Sequence, residues 1–207
     1  MPPFPADPSI PQPVPKDIMH KLIALAALAA TATLAQAAPA TYAIDPTHTF
    51  ATFEALHFGT STNRGRFGKN SGTVVIDKVA KTGKVDLTLD MTGISTGVAP
   101  FDGHLKGADF FDVANHPTAR FVGEQFVFDG DKVKEVSGQL TLRGKTAPLT
   151  LKAVRYNCFD HPMLKREVCG GDFEATVKRS LHGVNWGLQM GVADDTRVIV
   201  QVEAVKQ

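Results

Sequence analysis

From Lys84 to Met91 (KVDLTLDM) apolar and polar residues alternate: Val85, Leu87, Leu89 and Met91 fall on one side, and Asp86, Thr88 and Asp90 on the other. A period of two marks a strand with one face in a core and one in water. The alternation recurs. Tyr42 to Asp45 reads as a short strand ended by Pro46, and His48 to Phe58 as a longer one, in which Phe50 is out of phase with Phe53 and implies a bulge or twist between them. Thr73 to Asp77 and Phe121 to Phe128 follow. Later strands carry Val136, Gly138, Leu140 and Leu142, then Leu149, Leu151 and Ala153, then Phe173, Ala175 and Val177, and finally Val198, Val200, Val202 and Ala204. Turns are expected at Gly59–Asn63, Lys81–Lys84, Asp129–Lys132 and Lys145–Ala147, where Gly and Asp-Gly supply the backbone that hairpins need. Gly68 and Gly72 mark bends of the kind that curl strands into barrels. The count is about eight strands, with turn signals roughly every 10 to 15 residues, which favours an antiparallel sandwich or barrel.

One stretch breaks the pattern. His104 to Phe121 (HLKGADFFDVANHPTARF) has mixed polar residues, a glycine and the adjacent rings of Phe110 and Phe111 before Pro117 stops any helix. It reads as a short helical cap over His104–Asp112 that returns the chain to the sheet, a lid on an all-β body.

The first 37 residues stand apart. Met1 to Pro15 is proline-rich and without apolar periodicity. Met19-His20-Lys21, the apolar run Leu22–Leu34 and Ala35-Gln36-Ala37 then make a basic n-region, a short h-region and an A-x-A site, the plan of a secretory signal peptide. The run is too short to span a membrane, which takes about 20 apolar residues. Cleavage is expected after Ala37, with Met19 as the natural start and the residues before it as an upstream extension. One domain over 41–206 remains, and no transmembrane span after processing. Export places it in the periplasm and makes the two cysteines, Cys158 and Cys169, a disulfide rather than a redox dithiol, since their spacing is not C-x-x-C. With 22 basic and 21 acidic residues the net charge is +1, so there is no electrostatic case for nucleic acid.

Candidate chemistry is sparse. His48, His57, His104, His116, His161 and His182 are scattered without H-E-x-x-H or paired C-x-x-C spacing, so no metal site is expected. Ser137 and Ser180 lack a G-x-S-x-G context, so no catalytic residue is assigned. Asp109 and Asp112 lie near His104 and His116, where a carboxylate–His pair could do acid–base work, although capping the short helix or facing solvent is the plainer role. Thr141 and Arg143 alternate with inward leucines and read as outer-face residues. Apolar inward residues, including many of the 13 Phe, either fill a closed core or line a slender cavity.

Several phrases, taken in order, resemble the YceI family, named for a small periplasmic protein. They are Tyr42-x-Ile44-Asp45-Pro46-x-His48 with Phe53 and His57, Gly65-x-Phe67, His104-Leu105-Lys106 with Asp109-Phe110-Phe111, Pro117 with Phe121, Gly138-x-Leu140-Thr141-Leu142-x-Gly144, and Arg179-Ser180 with Gly183. The likeness runs from about Tyr42 to the closing strand at Val198–Val205. The loop flanked by Cys158 and Cys169 is a departure from it. The resemblance implies an all-β fold, an extended eight-stranded antiparallel lipocalin-like barrel with a small helical cap. It also implies binding of a polyisoprenoid or similar long amphipathic lipid in the barrel, often as a homodimer. The lining then expected is Phe53, Phe67, Leu87, Leu89, Phe110, Phe111, Phe121, Phe126, Leu140 and Trp186. His57 and His104 are headgroup candidates, with Arg179 or Lys106 to pair a phosphate, although Arg179 serves equally as an outer-face salt bridge. No cofactor is required; a polyisoprenoid or quinone-like lipid is the expected ligand. The alternatives are an enzyme or redox accessory acting on a lipid quinone, and a packed-core structural or stress module without ligand.

Overall fold

The computed structural model describes Met1 and residues 38–207. The expected upstream extension, signal peptide and cleavage after Ala37 lie outside the described residues. The barrel is built from β1 (Ala40–Ile44), β2 (Phe50–His57), β3 (Ser61–Arg66), β4 (Asn70–Asp77) and β5 (Thr82–Asp90), then helix α1 (Ala99–Lys106), then β6 (Thr118–Asp129), β7 (Lys132–Leu142), β8 (Lys145–Asp160), β9 (Glu167–Lys178) and β10 (Asp195–Lys206).

Every pairing is antiparallel, and the sheet closes where β1 meets β10. Ten segments make eight staves. β1 and β2 lie end to end along one edge of β10, β1 against 204–206 and β2 against 196–201. β3 and β4 run end to end in the same way, β3 on β2 and β4 on β1. Polar side chains hold the break in the first stave. Asp45 accepts from the Thr47 N–H at 2.8 Å and lies 2.7 Å from Nδ1 of His48. Thr49, fully buried, donates to the Glu203 carbonyl and accepts from the Glu203 N–H, both at 3.1 Å, so that a hydroxyl replaces a ladder rung. Burial is the largest influence on the Asp45 carboxyl and pushes its pKa up; hydrogen bonds from His48 and Thr47 outweigh it and bring the value down to about 2.

Phe50 needs no bulge to explain its phase. The β2–β10 register runs unbroken from Phe50↔Gln201 to Ala55↔Thr196. Phe50 is turned outward, with the Arg66 guanidinium 4.4 Å above its ring, where cation and π-face attract. The first hairpin turn is also tighter than expected, since β3 already begins at Ser61.

Register shifts lie elsewhere, at two points of the β6–β7 pairing and one of β8–β9. In β6 the pairing with β7 shifts between Gly123 and Gln125, so Phe121 and Gly123 face inward above the shift, and Phe126 and Phe128 join the core below it. One extra residue exchanges the faces of everything after it.

The cap starts earlier than the sequence suggests. Helix α1 spans Ala99–Lys106, with Pro100 in its first turn, where a missing N–H costs nothing. Asp102 holds the preceding turn by accepting from the Thr96 N–H and hydroxyl, each at 2.6 Å. Most of His104–Asp112 is the turn-rich exit, with the Phe111 N–H on the Leu105 carbonyl. The cap joins the barrel at Arg66↔Ser95, beside β3.

Cys158 and Cys169 form a disulfide and lie directly opposite each other in the β8–β9 ladder. They do not flank an enlarged loop: the strands continue to Asp160 and Glu167, leaving only a tip at 161–166.

Candidate functional site

Eight staves converge on a cavity of about 360 Å³ beneath the cap, within the range of about 300–1,000 Å³ of small-ligand pockets. Alternation supplies its walls. Leu87 and Leu89 come from β5, Ala119 and Phe121 from β6, Leu140 and Leu142 from β7, Leu149 and Leu151 from β8, and Val198 and Val200 from β10. The roof is helical: Phe101 and Leu105, four residues apart and so on one face of α1, point down into it. Phe53 reaches in from β2. Its cross-strand neighbour is Gly65, where a Cβ would lie 2.4 Å from the Phe53 ring, so that position has room only for hydrogen.

Aromatic rings close the mouth. Phe67 packs against Phe53 (5.4 Å) and Phe111 (5.9 Å), and Trp186 against Phe110 (5.3 Å). His104 sits edge-on to both Phe110 (4.8 Å) and Trp186 (4.9 Å). Of the expected lining, Phe53, Phe67, Leu87, Leu89, Phe110, Phe111, Phe121, Leu140 and Trp186 all border this cavity. Phe126 does not. The β6 bulge carries it lower, onto a second cavity, where it stacks on Phe128 at 6.1 Å.

Polar side chains are few among the lining residues: His57, Asn63, His104, Arg179 and Thr196. His57 ends β2 at the exposed rim, edge-on to Phe58 at 4.6 Å. Arg179 is the one cation in this lining, and it is 8 % exposed. It is neither free for a phosphate nor part of an outer-face salt bridge. Its guanidinium donates to the carbonyls of Ala193 (2.8 Å), Val184 (2.9 Å), Trp186 (2.7 Å) and Val192 (3.3 Å), four of its five donors. Burial pushes its pKa down, and Asp194 pulls the other way. The arginine therefore clamps the loop that carries Trp186. Lys106 does not border the cavity. Asp109, Asp112 and His116 also lie outside the lining; Asp112 accepts from the Asn115 side chain, and His116 stands 4.0 Å from it. Arg143 donates to the carbonyls of Gly183 (2.5 Å) and Ala108 (2.6 Å), tying the Trp186 loop to the cap.

Sequence reasoning missed part of the lining. Leu149, Leu151, Val198 and Val200 carried the same alternation as Leu87 and Leu89, so that signal was present. Phe101 and Leu105 were hidden by the misplaced helix. Asn63 and Thr196 had no signal, because only barrel closure brings β3 and β10 to the same mouth.

Residues 42–204 match the YceI-like domain. The chain belongs to the YceI family. It is 35 % identical over 175 residues to Protein YceI of Escherichia coli O157:H7, covering 83 % of this chain and 90 % of that protein. It is 33 % identical over 190 residues to a UPF0312 protein of Pseudomonas aeruginosa, covering 90 % and 97 %. The fold is shared with BcnA of Burkholderia cenocepacia, with a TM-score of 0.62 at 23 % identity over 77 % of this chain and 98 % of the other. It is shared too with a polyisoprenoid binding domain of Saccharophagus degradans implicated in plant cell wall breakdown, with a TM-score of 0.55 at 17 % identity over 80 % and 98 %. Among the described residues no helix is long and apolar enough to cross a membrane.

Proposed function

We propose that this YceI-family barrel is an exported, periplasmic protein that sequesters or carries a long-chain lipid, a polyisoprenoid or a similar amphipathic chain, and is not an enzyme. The observation that carries this reading is a cavity of about 360 Å³ whose one charged lining residue is committed to backbone carbonyls. Such a site offers a hydrocarbon chain dispersion and burial, and its lining holds no carboxylate and no cation free of protein partners. Each buried methylene contributes about 0.8 kcal/mol, so a five-carbon isoprene unit contributes roughly 4 kcal/mol before association costs. The polar rim of His57, Asn63 and Thr196 suits an uncharged or weakly polar headgroup. The Saccharophagus domain's description as polyisoprenoid binding supports the class of cargo, and the signal-peptide pattern before Ala38 supports export.

The test is native mass spectrometry of protein purified from its own host without detergent, before and after organic extraction. A retained isoprenoid or acyl mass, lost on extraction, is expected. Protein that arrives empty and stays empty after incubation with prenyl, quinone and acyl lipids would overturn the carrier reading.

A further inference from the structure

Below the main cavity lies a second of about 70 Å³. Leu87, Phe121, Leu151 and Val200 border both. They come from β5, β6, β8 and β10, and so form a girdle drawn from around the barrel. Phe121 is the largest of the four and only 2 % exposed. Two residues further along β6, on the same face, stands Gly123. A Cβ there would lie 3.0 Å from the Phe121 ring and 2.6 Å from Val136, which walls the lower chamber. The absent side chain thus lets the Phe121 ring, Val136 and Val85 press against the β6 backbone, so that the partition between the chambers is the ring itself. The lower chamber ends at Tyr42 and Tyr156.

We propose that the two cavities are one tunnel divided by Phe121, and that this residue selects ligand chain length, with the lower chamber as the subsite for the far end of a long apolar chain. The inference rests on the lipid-carrier reading. Chains that end at the girdle bind with the ring in place. Longer chains must turn it aside into a second rotamer, and so lose its packing against Leu87, Leu151 and Val200 before they gain the lower chamber. Dry apolar space with no partner atoms is what a terminal isoprene unit or alkyl end would fill.

The probe is a ladder of linear all-trans prenols of increasing length, mixed in equal amounts with the full mature chain and read by native mass spectrometry. Wild-type protein is expected to show a step down in occupancy beyond one length. Phe121→Ala removes the step and favours longer prenols, by roughly tenfold for every two methylenes newly buried. Phe121→Leu, closer in volume and safer for folding, shifts the profile the same way by less. Ala204→Leu, which fills the lower chamber, restores the step in the Phe121→Ala background. A length profile identical in wild type and both Phe121 variants overturns the gate while leaving the carrier intact. Failure of the wild type to take any prenol overturns this inference, and the carrier reading falls with it only if quinone and acyl lipids are refused as well.

Discussion

At the cap end, β3 runs past the end of β5, and the gap is covered by α1 and by the loop that carries Trp186. Those two arms meet across the mouth through rings, His104 and Phe110 against Trp186. At the opposite end, turns and short strand ends draw together around Glu167. Tyr42 donates to it at 2.5 Å and Lys78 at 2.7 Å, with Lys206 at 4.0 Å, and the Cys158–Cys169 disulfide spans the adjoining ladder. Lys81 closes a neighbouring corner by donating to Gly130 and Asp131. Ring contacts can part and re-form without leaving a polar group unsatisfied, whereas the buried Tyr42 hydroxyl loses its partner if the cluster at Glu167 opens. On the carrier reading an apolar ligand would therefore enter at the mouth, with the far end as its floor. The polar contacts lie behind the rings: Arg179 stiffens the Trp186 loop from within, and Arg143 ties that loop at Gly183 to the cap at Ala108, so the two arms are joined at their bases and only rings meet across the mouth.

The contrast can be broken at either end. The largest effect is expected from Arg179→Met, which leaves the carbonyls of Val184, Trp186, Val192 and Ala193 without their donor. A loss of about 3 kcal/mol in urea unfolding is expected, because each buried orphan costs about 1–3 kcal/mol and some will find water. Bound lipid should be lost with it. Arg179→Lys should fail to rescue, because an ammonium cannot reach four carbonyls spread along one loop. Unchanged stability would show that the loop stands without its clamp.

Next comes the floor. Reducing Cys158–Cys169, or replacing both with Ser, opens a link across 11 positions of sequence, and a loop that short contributes up to about 3 kcal/mol. Melting temperature should fall while lipid retention, read by extraction, stays. If the reduced protein loses its lipid at temperatures where it remains folded, the floor is also a route and the contrast fails.

The smallest effect at neutral pH concerns Tyr156, which lines the lower chamber. Burial, with help from the Glu167 charge, pushes its pKa up from 10.0 to about 12. The neutral phenol is the form the fold accommodates, so its contribution is intact below pH 10, where the unfolded chain also keeps its proton. It is lost as pH rises from about 10 toward 12, because the unfolded chain ionises first. Tyr156→Phe should change little at pH 7 and should flatten the alkaline limb of a stability–pH curve. Curves of equal alkaline slope would mean that the phenol meets water at the floor.

Legibility followed locality. The run Val85, Leu87, Leu89 put its leucines inward as its alternation implied, and Phe53, Phe121 and Leu140 did the same. Phe126 was assigned to the same cavity because nothing local announces that the β6–β7 pairing slips after Gly123, and one slipped residue moves every later side chain to the other face. Helix α1 was misplaced because eight residues beginning Ala-Pro carry too little periodicity to outweigh proline's usual meaning. Arg179 was read as a ligand for phosphate or an outer-face ion because its partners are carbonyls, which have no sequence signature.

Strand alternation, turn chemistry, the paired cysteines and the ordered YceI phrases were all present in the chain, because each depends on neighbours a few residues apart or on the order of short motifs. Whether inward residues close into a packed core or leave space was decided only by the assembled barrel. A cavity is what remains when side chains from eight staves and a cap are brought together, and no single strand records the volume left by the others.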